Sequence, residues 1–83
     1  KMYFVYILKS LKDRKYYVGL TSDVQKRLGN HNSGLNKSTK SRRPFKLIYS
    51  ESLESRNEAR KREKFLKSYA GVKEKRKIIL EHD

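Results

Sequence analysis

Eighty-three residues carry 22 Lys and Arg against nine Asp and Glu, a formal net charge of +13. With 35% hydrophobic residues and no cysteine, the composition excludes a disulfide scaffold, a cysteine-ligated zinc site and a thiol nucleophile, and one domain over residues 1–83 with a modest core is expected. So large an imbalance attracts polyanions, and the longest apolar run, "MYFVYIL", has only seven residues, too few to span a membrane; the expected partner is nucleic acid, not membrane.

The absence of cysteine fits a cytoplasmic protein, nucleoid-associated in a bacterium. Lys1, ahead of Met2, reads as an addition. "MYFVYILKS" is rich in β-branched and aromatic residues and reads as a first strand; "KYYVGL" reads as a second, and the polar "SLKDRK" between them suits a hairpin. Ser22 with Gln25 has the spacing of a capping box, so a helix is expected from Asp23 to about Asn32, stopped by Gly34, with Val24, Leu28 and His31 on one face. "GLNKSTKSRRP" has no apolar period and reads as a basic loop closed by Pro44. "FKLIYSE" follows as a third strand. Ser55 with Glu58 opens a second helix through about Tyr69, which Gly71 is placed to end. "VKEKRKIILEH" suits a short third helix with Val72, Ile79 and Leu80 as its apolar contacts. The fold class is α+β: a three-stranded sheet, its first two strands antiparallel, flanked by two or three helices.

One position in the second helix breaks its own pattern. At about 100° per residue, Ala59, Leu66 and Ala70 share a narrow sector, and Glu63 falls inside it, while Arg60, Lys61, Lys64 and Lys67 point elsewhere. A carboxylate on a buried face needs a partner: a metal ion, a basic side chain or a hydroxyl network. The remaining acids offer little company. Asp23 and Glu58 suit helix starts, Asp13 a turn, Glu74, Glu81 and Asp83 the chain end, and Glu51 and Glu54 are weaker candidates. One metal is therefore expected rather than two. On the first helix, Arg27 and His31 stand one turn apart at the apolar stripe. Read singly, Arg27 is a snorkelling surface base and His31 a packing histidine; with Glu63 they aim three polar groups at one sheet. Strand alternation puts Tyr6 with Phe4 and Leu8, and Tyr17 with Gly19, whose missing side chain leaves space beside the Tyr17 ring.

These residues resemble the GIY-YIG nuclease family. "FVYIL" is followed by "YVG", whose Tyr17 lies 11 residues after Tyr6, and Arg27 lies ten residues beyond Tyr17, as that family's arginine is placed. "EARKREKFLKSY" resembles its glutamate-bearing helix, while "HNSG" and "RRPFKLIY" resemble its small, stand-alone bacterial branch, akin to the N-terminal domain of excision-repair nucleases. The resemblance covers nearly the whole chain. It implies an antiparallel three-stranded sheet and a metal-dependent endonuclease that hydrolyses phosphodiester bonds, with one Mg²⁺ or Mn²⁺ ion and DNA as the first expectation. It suggests Tyr6 and Tyr17 at the reacting water, Arg27 on the phosphate, His31 nearby and Glu63 on the metal. There are departures. The first motif reads Phe4-Val5-Tyr6 rather than Gly-Ile-Tyr, and Leu20 stands where excision-repair relatives carry a lysine. The field that would lower a tyrosine pKa is then left to His31 or the metal. Lys37, Lys40, Arg42 and Arg43 on the loop, with Arg56, Arg60, Lys61 and Lys64 on the second helix, are the expected contacts to the nucleic-acid backbone. The alternatives are a nucleic-acid-binding module that kept the scaffold and lost turnover, and an accessory structural protein in which Arg27 or a tyrosine neutralises Glu63.

Overall fold

In a computed structural model, residues 2–83 are described; Lys1 lies outside them. The elements are β1 (Tyr3–Ser10), β2 (Tyr16–Thr21), α1 (Val24–Ser33), β3 (Phe45–Leu53), α2 (Arg56–Lys67) and α3 (Val72–His82), with single 3₁₀ turns at Lys40–Arg42 and Tyr69–Gly71. The sheet order is β2-β1-β3, and both pairings are antiparallel. The expected α+β architecture is therefore the observed one, with the third helix present.

β1 is the central strand and is covered on both sides, so its apolar run is continuous. Val5, Tyr6, Ile7 and Leu8 are all at most 1% exposed. Alternation divides them. Val5 and Ile7 join Val18, Ala59, Leu66 and Ile78 in one cluster, under α2 and α3. Tyr6 and Leu8 join Phe45, with Tyr17, Val24, Leu28 and Leu47 packed around them, under α1. Each fully buried aliphatic side chain contributes about 1.5–3 kcal/mol, so the first cluster carries much of the fold's stability.

Helix ends set where the site residues fall. The cap of α1 is Asp23 rather than Ser22: its carboxylate accepts from Lys26 N at 3.1 Å, and Thr21 Oγ1 accepts from Asp23 N at 3.1 Å. Gly34 ends α1 as expected, in the left-handed region at φ 83° that its lack of a Cβ makes easy. Asn32 then clamps α1 to β3, donating from Nδ2 to Phe45 O at 3.0 Å while Oδ1 accepts from Phe45 N at 2.6 Å. Ser55 caps α2 as expected, accepting from Glu58 N at 3.2 Å.

Three expectations about the C-terminal third are corrected. α2 stops at Lys67, with Ser68 as its cap, so Ala70 leaves the helical sector and is exposed. Gly71 does not end α2. It sits in the turn between α2 and α3, where a Cβ would run into the Phe65 carbonyl. On α3 the buried residue is Ile78, while Leu80 is 85% exposed.

Candidate active site

The site is assembled at the α1-covered face from four elements. β1 and β2 set the tyrosines: Tyr6 faces Gly19 across the strand pair and Leu8 faces Tyr17, so both rings project from one face. Their centroids are 6.3 Å apart. The space at Gly19 serves Tyr6 rather than Tyr17, because a Cβ there would overlap the Tyr6 hydroxyl. α1 supplies His31, fully buried, with its ring 5.0 Å from that of Tyr17 and 6.1 Å from that of Tyr6. His31 Nε2 is 3.1 Å from the Tyr6 hydroxyl, and Nδ1 is 2.8 Å from Thr39 Oγ1.

One turn before His31, Arg27 is exposed, and it stands near enough to Tyr6 to pull on its phenol. Burial pushes the Tyr6 phenol up to about 12, against the opposing pull of Arg27 and with smaller upward contributions from Tyr17 and Glu63. Burial holds His31 below the ordinary histidine value, and the Arg27 charge adds to this. The pair is therefore a neutral phenol against a neutral imidazole at physiological pH.

Glu63 arrives from α2, its side chain 19% exposed, near enough for its charge to bear on Tyr6. Its partner is neither Arg27 nor a tyrosine. It is Lys67, one turn on, whose Nζ donates to Oε2 at 3.1 Å and stands 5.7 Å from the Tyr17 ring centroid. Lys67 thus turns toward the site instead of away from it, correcting the expectation from the helical sector. The i,i+4 spacing of Glu63 and Lys67 was the signal for it. Leu20 supplies no cation on β2, and Lys67 brings one to Tyr17 from another element.

Among the described residues, no group of three or more His, Cys, Asp or Glu comes together. Glu63 nevertheless suits a hard divalent cation: it is a partly shielded carboxylate whose charge reaches Tyr6, and Mg²⁺ is commonly held by one or two carboxylates with waters and phosphate oxygens. Its Oε2 would have to be shared with, or released by, Lys67. Three of the other acids are engaged elsewhere. Glu51 and Glu74 both pair with Arg62, and Asp13 pairs with Arg42, whose guanidinium holds it down to about 2. Arg62 turns inward between β3 and α3, unforeseen from the sequence because its partners are remote in the chain.

The basic residues divide in two. Lys37, Lys40 and Arg43 are exposed and line a groove with Lys12 and Ser41. Arg56, Arg60, Lys61 and Lys64 are exposed on α2. Arg42 lies apart from them. Its Nε donates to Asp13 Oδ2 at 2.7 Å, and its guanidinium stacks 5.6 Å from the Phe45 ring centroid. Its carbonyl accepts from Ser10 Oγ at 2.5 Å, tying the basic loop to the β1–β2 turn. Thr39, in the middle of that loop, is 1% exposed and touches His31, although the run around it carries no apolar period.

Comparison with known proteins agrees with this fold. The GIY-YIG catalytic domain family matches residues 2–76. A UPF0213 protein of Staphylococcus saprophyticus is 41% identical over 80 residues, covering 95% of each chain. One from Listeria innocua is 48% identical over 62 residues, covering 74% of this chain and 68% of the relative. The solution NMR structure of a UPF0213 protein from Bacillus halodurans superposes with a TM-score of 0.59 at 34% identity, covering 99% of this chain and 87% of the other. No helix among the described residues is long and apolar enough to cross a membrane.

Proposed function

This chain belongs to the GIY-YIG family, a nuclease family, and from that premise we propose that it is a divalent-metal-dependent endonuclease that hydrolyses phosphodiester bonds in DNA with a single ion at Glu63. The observation that carries the reading is the Tyr6 hydroxyl, 3.1 Å from His31 Nε2 and under the pull of the Arg27 guanidinium.

Hydrolysis needs a deprotonated water, charge neutralisation on the nonbridging oxygens and stabilisation of the leaving oxygen. Arg27 is exposed and offers a planar two-pronged donor to a phosphate. A phenol raised to about 12 is a poor source of free phenolate. The proton therefore moves as a relay. The attacking water gives a proton to the Tyr6 oxygen as the Tyr6 proton passes to His31 Nε2, and the water oxygen forms its bond to phosphorus while the bond to the leaving oxygen breaks. Tyr17, beside Lys67, orients the water. When bound, a divalent ion supplies positive charge at the leaving oxygen. Lys37, Lys40 and Arg43, with the α2 bases, hold the backbone without reading bases.

Supercoiled, branched and single-stranded DNA incubated with Mg²⁺, Mn²⁺ or EDTA test this. Cleavage is expected with the ions and not with EDTA. It should be lost in Glu63→Ala and fall by about 10²–10³ in Arg27→Ala. Cleavage that survives Glu63→Ala would overturn the assignment. The Glu63–Lys67 bond favours a second reading, a binding module whose carboxylate is already neutralised. It predicts retarded mobility without cleavage on every substrate.

A further inference from the structure

The Tyr6–His31 pair works only in one of two proton arrangements, and the residue that selects it lies outside the strands and helices that build the site. A neutral imidazole carries its proton on Nδ1 or on Nε2, and only the first leaves Nε2 free to accept from Tyr6. Two constraints select it. Among the described residues the Tyr6 hydroxyl has His31 Nε2 as its side-chain hydrogen-bond partner, and Arg27 nearby has donors only, so the phenolic proton has Nε2 as its acceptor. At the other end, Thr39 Oγ1 lies 2.8 Å from Nδ1 and 3.4 Å from Asn36 O. With the Tyr6 end placing the proton on Nδ1, the Thr39 hydroxyl turns its hydrogen to Asn36 O and presents a lone pair to Nδ1–H. Tyr6, His31 and Thr39 are each at most 1% exposed, and no buried side-chain polar atom among the described residues lacks a partner.

We propose that Thr39 is the positioning residue of the site: its hydroxyl fixes His31 as the Nδ1-protonated tautomer and so makes Nε2 the acceptor for the Tyr6 proton. The proposal rests on the nuclease reading for its consequence in turnover, and not for its chemistry. Thr39 sits between Lys37 and Lys40, so the loop that offers cations to the substrate also holds the ring that receives the proton. Losing the hydroxyl leaves a buried Nδ1–H unsatisfied, which favours moving the proton to Nε2, where it opposes the Tyr6 hydroxyl.

Long-range ¹H–¹⁵N NMR of the wild-type protein reads the tautomer directly. His31 should show a protonated Nδ1 and an unprotonated Nε2. Thr39→Val, which keeps the shape without the oxygen, should shift it toward protonated Nε2 or a mixture, and Thr39→Ser should restore the wild-type pattern. In cleavage, Thr39→Val should lower kcat by tenfold or more, within the about 10²–10⁴ that proton transfer contributes, with KM for DNA unchanged and kcat rescued in Thr39→Ser. A wild-type spectrum with Nε2 protonated, or a Thr39→Val spectrum identical to wild type, would overturn the proposal. If Thr39→Val fails to fold, the wild-type spectrum still decides. If the chain cleaves nothing while the spectra come out as expected, the nuclease reading falls and the role of Thr39 stands.

Discussion

The two faces of this sheet are built from alternate residues of one strand, and they differ in kind. Val5 and Ile7 enter a cluster made of aliphatic side chains. Tyr6, between them in sequence, enters a face where a phenol, an imidazole and a threonine hydroxyl are hydrogen-bonded in series, with a guanidinium beside the phenol. The first face gains from water exclusion alone and tolerates any well-shaped apolar filling. The second also excludes water, but every polar atom in it needs a partner, so its residues are bound by chemistry as well as by volume. Adjacent positions on β1 should therefore fail in different ways.

The strongest break in that comparison pairs Tyr6→Phe with Ile7→Ala. Removing the Tyr6 hydroxyl should lower turnover by about 10²–10⁴, measured under single-turnover conditions. Ile7→Ala should cost about 2–5 kcal/mol in urea unfolding and leave turnover per folded molecule unchanged. If Ile7→Ala lost activity per folded molecule as Tyr6→Phe does, the division between faces would be wrong. Gly19→Ala comes next. Its Cβ overlaps the Tyr6 hydroxyl, so the ring must move from His31, which should cost about 1–3 kcal/mol of stability together with most of the cleavage. Retained activity would mean that the Tyr6–His31 contact is dispensable.

Acidification gives the smallest effect and sharpens the contrast without changing volume. His31 is held below its ordinary value by burial, so the unfolded chain takes up this proton first as pH falls. Its contribution to stability is full above the unfolded value of about 6.5 and is lost as pH drops toward the lowered folded value. Urea midpoints from pH 8 to 5 should fall in the wild type and fall less steeply in His31→Gln. Equal slopes would remove His31 from the account.

Much of the comparison could be read in the sequence, because strand alternation and helical periodicity are local. The three strands, the Gly34 stop, the Ser55 cap and the inward turn of His31 all depend on neighbours within a few positions. What could not be read depends on partners remote in the chain or on competition between equals. Asp23 and Ser22 both suit a cap, and Asp23 prevails with a charged oxygen and a main chain held by the Thr21 hydroxyl. Arg62 turns inward because Glu51 and Glu74 come from β3 and α3 to meet it. Thr39 lies in a run with no periodicity, and only the docking of that loop on α1 brings it to His31. Arg42 and Arg43 are indistinguishable by composition, and Asp13 and Phe45 claim the first of them.

The central claim is that Glu63, Arg27 and the tyrosines act together on one phosphodiester around one ion. Crystals soaked with Mn²⁺ and a short oligonucleotide test it most directly, through anomalous density. The account predicts a single Mn²⁺ about 2.0–2.2 Å from a Glu63 carboxylate oxygen, with Lys67 displaced from Oε2 and a phosphate oxygen on Arg27. Density elsewhere, or Glu63 still bonded to Lys67 at saturating Mn²⁺, would contradict it.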